Sequence, residues 1–394
     1  MSLALPDSSV RRLLDAVDAD RDAMRELLMA LVAVPTENPP ATGYRPCVEL
    51  LASTLRQLGL DHEIIDIASP AGAPRSAIRA WFGEGPTLYF HGHYDVVPAM
   101  SPFQFVPRIE LDTVFGRGSS DMKSGLVAML YAARALRTAG VALRGRVELL
   151  FVPDEETGGA YGSGALAAMG RLGRDGVGML LPEPTSGVIW NGNRGAITWE
   201  VIVNGRAAHV ALQHQGVNAL EQAMPILTRL FELKREIETR SGSILLVGGR
   251  VDAGSNFNTV PATCAFTLDR RTNPNEDFEA EKQRLSDVLS HARGEGVDVE
   301  VRTIQEGRPS FTSPDERLGL ALAESVSDVT GAAPAFEMCP GLLEIRFYAE
   351  RAVPAFAYGP GILAVSHGPQ EFVKVGRMTE CAKIYALTAA RMLS

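Results

Sequence analysis

The order of its apolar runs constrains this chain most. Short runs of strand type, Ala77–Phe82, Thr87–Phe90, Val147–Val152 and Met179–Leu181, are separated by segments with helical spacing. Gly125–Ala139, rich in Ala, Leu and Met, reads as a helix between two of them. Residues 8–34 predict a helix, because Leu13, Leu14, Val17, Met24, Leu27, Leu28 and Leu31 recur at roughly helical spacing and Pro35 lies just beyond. Residues 46–58 predict another, closed by Gly59. Strands alternating with helices predict an α/β fold with a mainly parallel sheet, since parallel neighbours need crossovers that lay helices on the sheet.

The pattern changes near Trp190, where NGNRG has turn chemistry. The order becomes strand (Ile197–Val203), helix (Val217–Ile237), strand (Ile244–Val251), strand (Thr263–Asp269), helix (Asp277–Ala292), strand (Val297–Thr303). That βαββαβ order is ferredoxin-like. From Glu316 the alternation returns, with a helix to about Val329, a strand near Pro354–Tyr358 and a last helix from Met378. The simplest parse is an α/β domain formed by residues 1–193 and 309–394, with a small α+β domain inserted over 194–308.

Composition narrows the partners. Lys and Arg total 38 and Asp and Glu 47, a net charge of −9. Sequence-independent nucleic-acid binding needs basic surface to neutralise phosphates, so a nucleic-acid partner is not expected. No run of about 18 apolar residues predicts a membrane span. The opening MSLALPDSSVRRLLDAV lacks a basic segment followed by an apolar one, so no leader is expected and the reading is cytoplasmic. Cys47, Cys264, Cys339 and Cys381 are far apart and form no CxxC, which argues for buried thiols rather than a thiolate metal site or a disulfide framework.

Chemistry concentrates in five short clusters. FHGHYDVVP follows a strand-like run, at the edge where open α/β sheets bind ligands. His93 and Asp95, two apart, suit two metal ligands, or one ligand with its orienting partner, or a polar pair on a surface turn. GRGSSDMKSG places Asp121 just before a helix, as a ligand or as a cap. It lacks the glycine patterns of nucleotide-binding loops. FVPDEETGG sets three consecutive acids ahead of two glycines, which is costly without a compensating cation. Glu155 and Glu156 need a turn to reach one site; the bland alternative is a solvated acidic loop. LLPEPT puts Glu183 just past an apolar run, and SHGPQE puts His367 in a Gly/Pro loop. Two histidines and five carboxylates form a ligand set for zinc, cobalt or manganese rather than for copper(I) or iron–sulfur. Two metals sharing a bridging carboxylate need roughly this many donors.

In this order and spacing, GHYDVVP, GRGSSDMKSG, DEETGG, PEPT and SHGPQE resemble the zinc-dependent metallopeptidase family of acetylornithine deacetylase, succinyl-diaminopimelate desuccinylase, aminoacylase and glutamate carboxypeptidase. The resemblance covers nearly the whole chain. It implies a phosphorylase/hydrolase-like catalytic domain and an inserted domain that dimerises and acts as a lid. It implies two divalent ions, zinc first, held by His93, Asp121, Glu156, Glu183 and His367, with Asp121 bridging. Asp95 would hydrogen-bond the far nitrogen of His93, and Glu155 would be the general base. His209, in GRAAHVALQHQGVNAL, would reach the partner subunit's site and polarise the scissile carbonyl. Asn258, in SNFNTVP, and Arg271, in TLDRRTNP, would face substrate. The implied reaction is deacylation of an N-acyl amino acid by a homodimer. Cleavage of a short peptide by a dipeptidase or carboxypeptidase, an N-carbamoyl or aryl-amine bond, or a non-catalytic binding role are the alternatives. The chain departs from the family at MCPGLLEIRFY, where Leu343 and Glu344 replace a Gly-Thr-Asp or Gly-Thr-Ser run and Arg346 takes the arginine place. PEPT replaces the usual Gly-Glu-Pro-Thr and leaves Glu183 in place.

Overall fold

A computed structural model describes residues 5–69 and 75–394. The first four residues, part of the segment read above for a leader, lie outside it. The chain divides into two compact units. The first runs up to Gly192 and resumes over Phe311–Met338 and Leu343–Ser394; the second is Asn193–Ser310 with Cys339–Leu342.

The first unit is built on a mainly parallel sheet. Strands Arg146–Val152, Thr87–His93, Gly176–Leu181 and Ala355–Ala357 lie side by side in that order, all parallel. Arg75–Phe82 and then Asp61–Ile67 extend one edge antiparallel. Every residue of Thr87–His93 is buried, as a central parallel strand covered on both faces requires. Helices Ser124–Thr138 and Val375–Leu393 pack on each other and are buried along nearly all their residues. Leu126, Val127, Leu130, Phe90, Leu149, Ile384 and Leu387 are fully buried there.

The single helix expected over residues 8–34 is two, Asp7–Ala19 and Arg21–Val32. Asp20 leaves the helical region (φ −97°, ψ 3°), and its carboxylate accepts a bond from Arg134 Nη1 at 2.7 Å. Helical spacing persisted because both helices turn an apolar face inward. The strand expected to end at Phe90 continues to His93.

The second unit is a four-stranded antiparallel sheet in the order Ile244–Ala253, Thr263–Thr272, Gly195–Asn204, Asp298–Gly307. Helices Ala219–Ser241 and Phe278–Gly294 contribute Ile226, Leu230, Leu285 and Leu289 to one apolar core with Trp199, Val201, Phe266 and Leu268. Asn218 and Asp277 cap the two helices through their side-chain oxygens, each accepting two main-chain N–H bonds.

Candidate metal centre

Carboxyl ends of parallel strands present the chemistry. His93 is the last residue of its strand, and Glu183 stands two residues beyond Gly176–Leu181. After Arg146–Val152 the backbone turns at Asp154 (φ +79°) into the single helical turn Glu155–Thr157. That turn is what lets the adjacent Glu155 and Glu156 serve one site from different directions. Asp121 lies in the tight turn Ser119–Lys123 ahead of the helix Ser124–Thr138. His367 sits in a loop at φ +63°.

Two donor groups form, and Asp121 belongs to both. Donor atoms of His93, Asp121 and Glu183 lie within 4.8 Å of one another, and so do those of Asp121, Glu156 and His367. His93 Nε2 is 3.4 Å from Asp121 Oδ1 and 3.7 Å from Glu183 Oε1. His367 Nε2 is 3.3 Å from both Asp121 Oδ2 and Glu156 Oε2. Glu155 stands outside both groups, its Oε2 4.0 Å from His93 Nε2.

The donor set fits divalent cations. His93 Nε2 and Glu183 Oε1 are buried atoms with no hydrogen-bond partner, and such orphans are costly unless something binds them. Burial pushes Glu155 and Glu183 well above the usual carboxylate range, and the negative charge of Asp121 and Glu156 adds to it. Asp121 behaves oppositely: burial would raise it, but the close imidazoles of His367 and His93 hold it low. The same contacts with Asp121 and Glu156 carry His367 up to about 10. Crowded carboxylates with two imidazoles are what cations relieve.

The surrounding contacts orient these donors. His93 Nδ1 donates to the main-chain carbonyl of Asp95 at 2.9 Å, which leaves Nε2 free to bind. The Asp95 carboxylate, expected in that role, is farther, at 3.5 Å. It instead accepts the N–H groups of Glu155 and Glu156, each at 3.2 Å, and Asn38 Nδ2 at 2.9 Å. Asp95 therefore shapes the acidic turn more directly than it holds the imidazole. Asp154 anchors the same turn, accepting from Arg75 Nη1 at 2.6 Å, Thr157 Oγ1 at 2.8 Å and the Tyr161 N–H at 2.7 Å.

Arg346 is not an open guanidinium. It is 3% exposed and donates to the carbonyls of Leu343 and Gly158, both at 2.8 Å. These two bonds brace the loop after Glu156 and employ one N–H of each terminal nitrogen. Glu344 is fully buried, 2.9 Å from His91 Nε2.

The remaining candidates lie in the second unit. His209 is exposed and pairs in a short bridge with Thr259, beside Asn258, whose carbonyl accepts the Val210 N–H at 2.9 Å. His209 Nδ1 accepts the Ala211 N–H at 3.2 Å, so a neutral ring carries its proton on Nε2. Arg271 lies near the other end of the sheet, its Nε and Nη2 on the Asp269 carboxylate at 2.6 and 2.9 Å. From Thr263 to Arg271 the strand spans about 26 Å at about 3.3 Å per residue.

Sequence reasoning missed Asn38, Arg117 and Glu371. Arg117 and Glu371 sit inside the quoted motifs GRGSSDMKSG and SHGPQE, so position was their signal. Nothing local marked Asn38, whose partners are far along the chain.

Residues 89–391 match the family model Peptidase family M20/M25/M40. A succinyl-diaminopimelate desuccinylase of Alkalilimnicola ehrlichii is 29% identical over 385 residues, 93% of this chain and 98% of that one. The dipeptidase Dug1p of Saccharomyces cerevisiae superposes with a TM-score of 0.79 at 16% identity, covering 98% of this chain and 99% of the other. A Bacillus subtilis dinuclear metal-binding peptidase of the M20 family superposes at 0.68 and 17% identity, covering 95% and 99%. With the match spanning most of its length, including every residue of the two donor groups, the chain belongs to peptidase family M20/M25/M40, hydrolases of amide and peptide C–N bonds.

Proposed function

We propose that this protein is a two-metal deacylase that hydrolyses the amide of an N-acyl amino acid. The single observation that carries the reading is the pair of donor groups sharing Asp121 with Glu155 beside them and in neither. His93 and Glu183 would hold one ion, Glu156 and His367 the other, and Asp121 would serve both. Zinc is the first candidate, with cobalt and manganese also compatible with imidazole and carboxylate donors. Bound ions of this kind supply Lewis acidity and lower the pKa of water to about 7.

Glu155 does the proton work. Its carboxylate lies beside the donor groups and in neither, 4.0 Å from His93 Nε2, where it can accept a proton from water and pass it to the leaving amine. The N–H bonds from Glu155 and Glu156 to Asp95 fix the turn, so the base and the ligand keep their separate directions. His209, protonated on Nε2, donates to the oxygen that becomes negative as the carbonyl is attacked. Asn258 lies beside it and contacts the same end of the substrate.

Arg271 is the candidate for the substrate carboxylate. A small acyl amino acid cannot touch His209 and Arg271 of one copy across about 26 Å of strand. This supports a homodimer in which the second unit lends His209 to the partner's centre and serves as lid and dimerisation domain, bounded near residues 194 and 308. The desuccinylase likeness across nearly the whole chain supports acyl amino acids over peptides. A cytoplasmic location accords with that substrate class.

The test is turnover of N-succinyl-diaminopimelate, N-acetylornithine, N-acetylmethionine and a dipeptide, before and after chelation and on adding back zinc, cobalt or manganese. Deacylation lost on chelation and restored by metal is the expected result. Robust dipeptide cleavage without deacylation would replace the substrate class. No metal binding under any condition would end the reading.

A further inference from the structure

Two segments that carry separate donors of the His367 group are joined by one buried ion pair. Arg117 and Glu371 are each 1% exposed. Glu371 Oε1 accepts the main-chain N–H groups of Ser120 at 2.9 Å and Asp121 at 3.0 Å. Its Oε2 accepts from Arg117 Nη1 at 2.7 Å. Arg117 Nη2 donates to the main-chain carbonyl of His367 at 3.1 Å. The Gly116 N–H closes the loop on the Glu371 carbonyl at 3.0 Å. Both carboxylate oxygens are thus engaged, so Glu371 is no ion donor despite its closeness to Asp121.

The two donor groups do not depend on this pair equally. His93 ends a fully buried central strand, and Glu183 follows the adjacent parallel one, so the sheet itself places them. His367 has no strand beneath it. Its side chain is 50% exposed and its loop is tied by Arg117 at His367 and by Gln104 Nε2 at the Gly368 carbonyl, 3.0 Å. Buried ion pairs contribute little net stability, because desolvation offsets the attraction, but one that spans two loops fixes their geometry.

We infer that Arg117 and Glu371 are positioning residues that set the affinity of the His367 ion position far more than that of the His93 position, although the two share Asp121. The inference rests on the two-metal reading and deepens it. Arg117→Lys separates the roles: one ammonium can keep Glu371 paired but cannot also reach the His367 carbonyl as the forked guanidinium does. Glu371→Gln is the second variant, retaining an oxygen for the Ser120 and Asp121 N–H groups while losing the charge opposite Arg117.

The experiment is calorimetric titration of the metal-free full-length protein with zinc, with thermal melting of each variant alongside. Loss of a partner that orients a ligand weakens metal binding about 10–100-fold, so one of the two equivalents should weaken by that factor while the other stays within about threefold. A merely structural role would lower the melting temperature without separating the two affinities. Both equivalents weakened alike, or neither changed, in whichever variant folds, would overturn the inference. Two weak equivalents or none in the unmodified protein would overturn the two-metal reading and this inference with it, an outcome distinct from a variant-specific failure.

Discussion

Replacing Glu155 by Gln isolates the proton-transfer step from metal binding. Glu155 belongs to neither donor group, and the bond that positions it runs from its main-chain N–H to Asp95, which the substitution leaves intact. Its side chain is crowded by negative charge: burial raises its pKa, and Glu156, Glu344 and Asp121 raise it further. A neutral amide of the same shape removes that repulsion, so the metal-free variant should melt no lower than the parent. Positioned general acid–base catalysis contributes about 10²–10⁴-fold, which corresponds to about 3–5.5 kcal/mol of barrier. The expected outcome is turnover reduced by about that factor with KM little changed and two zinc equivalents retained. Initial rates on the preferred substrate, metal analysis and a melting curve measure the three quantities. Turnover within about tenfold of the parent would remove Glu155 from the mechanism. Loss of zinc would make it a ligand instead of a base.

Glu156→Gln removes a donor from the His367 group only, so metal analysis should find about one ion in place of two; two tightly held ions would refute that assignment. His209→Ala and Glu155→Gln proteins, each inactive, should regain activity when their subunits are mixed and exchanged; confirmed exchange with no recovery would refute a shared site. Gly359→Ala should destabilise the fold by about 1–3 kcal/mol or more, because an added Cβ would lie 2.2 Å from the Pro182 carbonyl oxygen and 2.3 Å from that of Glu183. An unchanged melting temperature would show that the Glu183 turn gives way freely. The metal-free protein should lose stability from about pH 6.5 to about pH 8. Asp121 and Glu156 hold the folded His367 pKa near about 10, so the folded state binds the extra proton and its contribution, complete below the unfolded value of 6.5, drains as pH rises. Lys123, held down to about 8 by burial, acts in the opposite sense above that pH and offsets part of the loss, so the fall is clearest below about pH 8. A melting temperature that rises across the window in metal-free protein would contradict the His367 contacts.

Much of the centre was legible in the sequence. Two histidines and five carboxylates stood out because their clusters follow strand-like runs or sit in glycine- or proline-rich loops, where a sheet presents side chains, and the family resemblance picked His93, Asp121, Glu156, Glu183 and His367 from them. Local periodicity marked the βαββαβ unit for the same reason: an apolar face must recur every two or every 3.6 residues whatever surrounds it. Periodicity could not register the break at Asp20, since both flanking helices keep their apolar face inward and the interruption costs one residue.

What only the tertiary structure decided is which polar groups meet. Asn38, Asp95 and Asp154 converge on one acidic turn from three segments, and Glu371 reaches back across some 250 positions to Ser120 and Asp121. Arg346, which the resemblance put in the arginine place, is buried and donates to two carbonyls, because buried donors generally find an acceptor and sequence does not say which. The residues of the donor set are a property of the chain, and the resemblance already implied Asp121 as the shared one and Glu155 as the base; the distances of a few ångströms that group them are a property of the fold, since packing and hydrogen bonds between loops fix them and no local pattern encodes them.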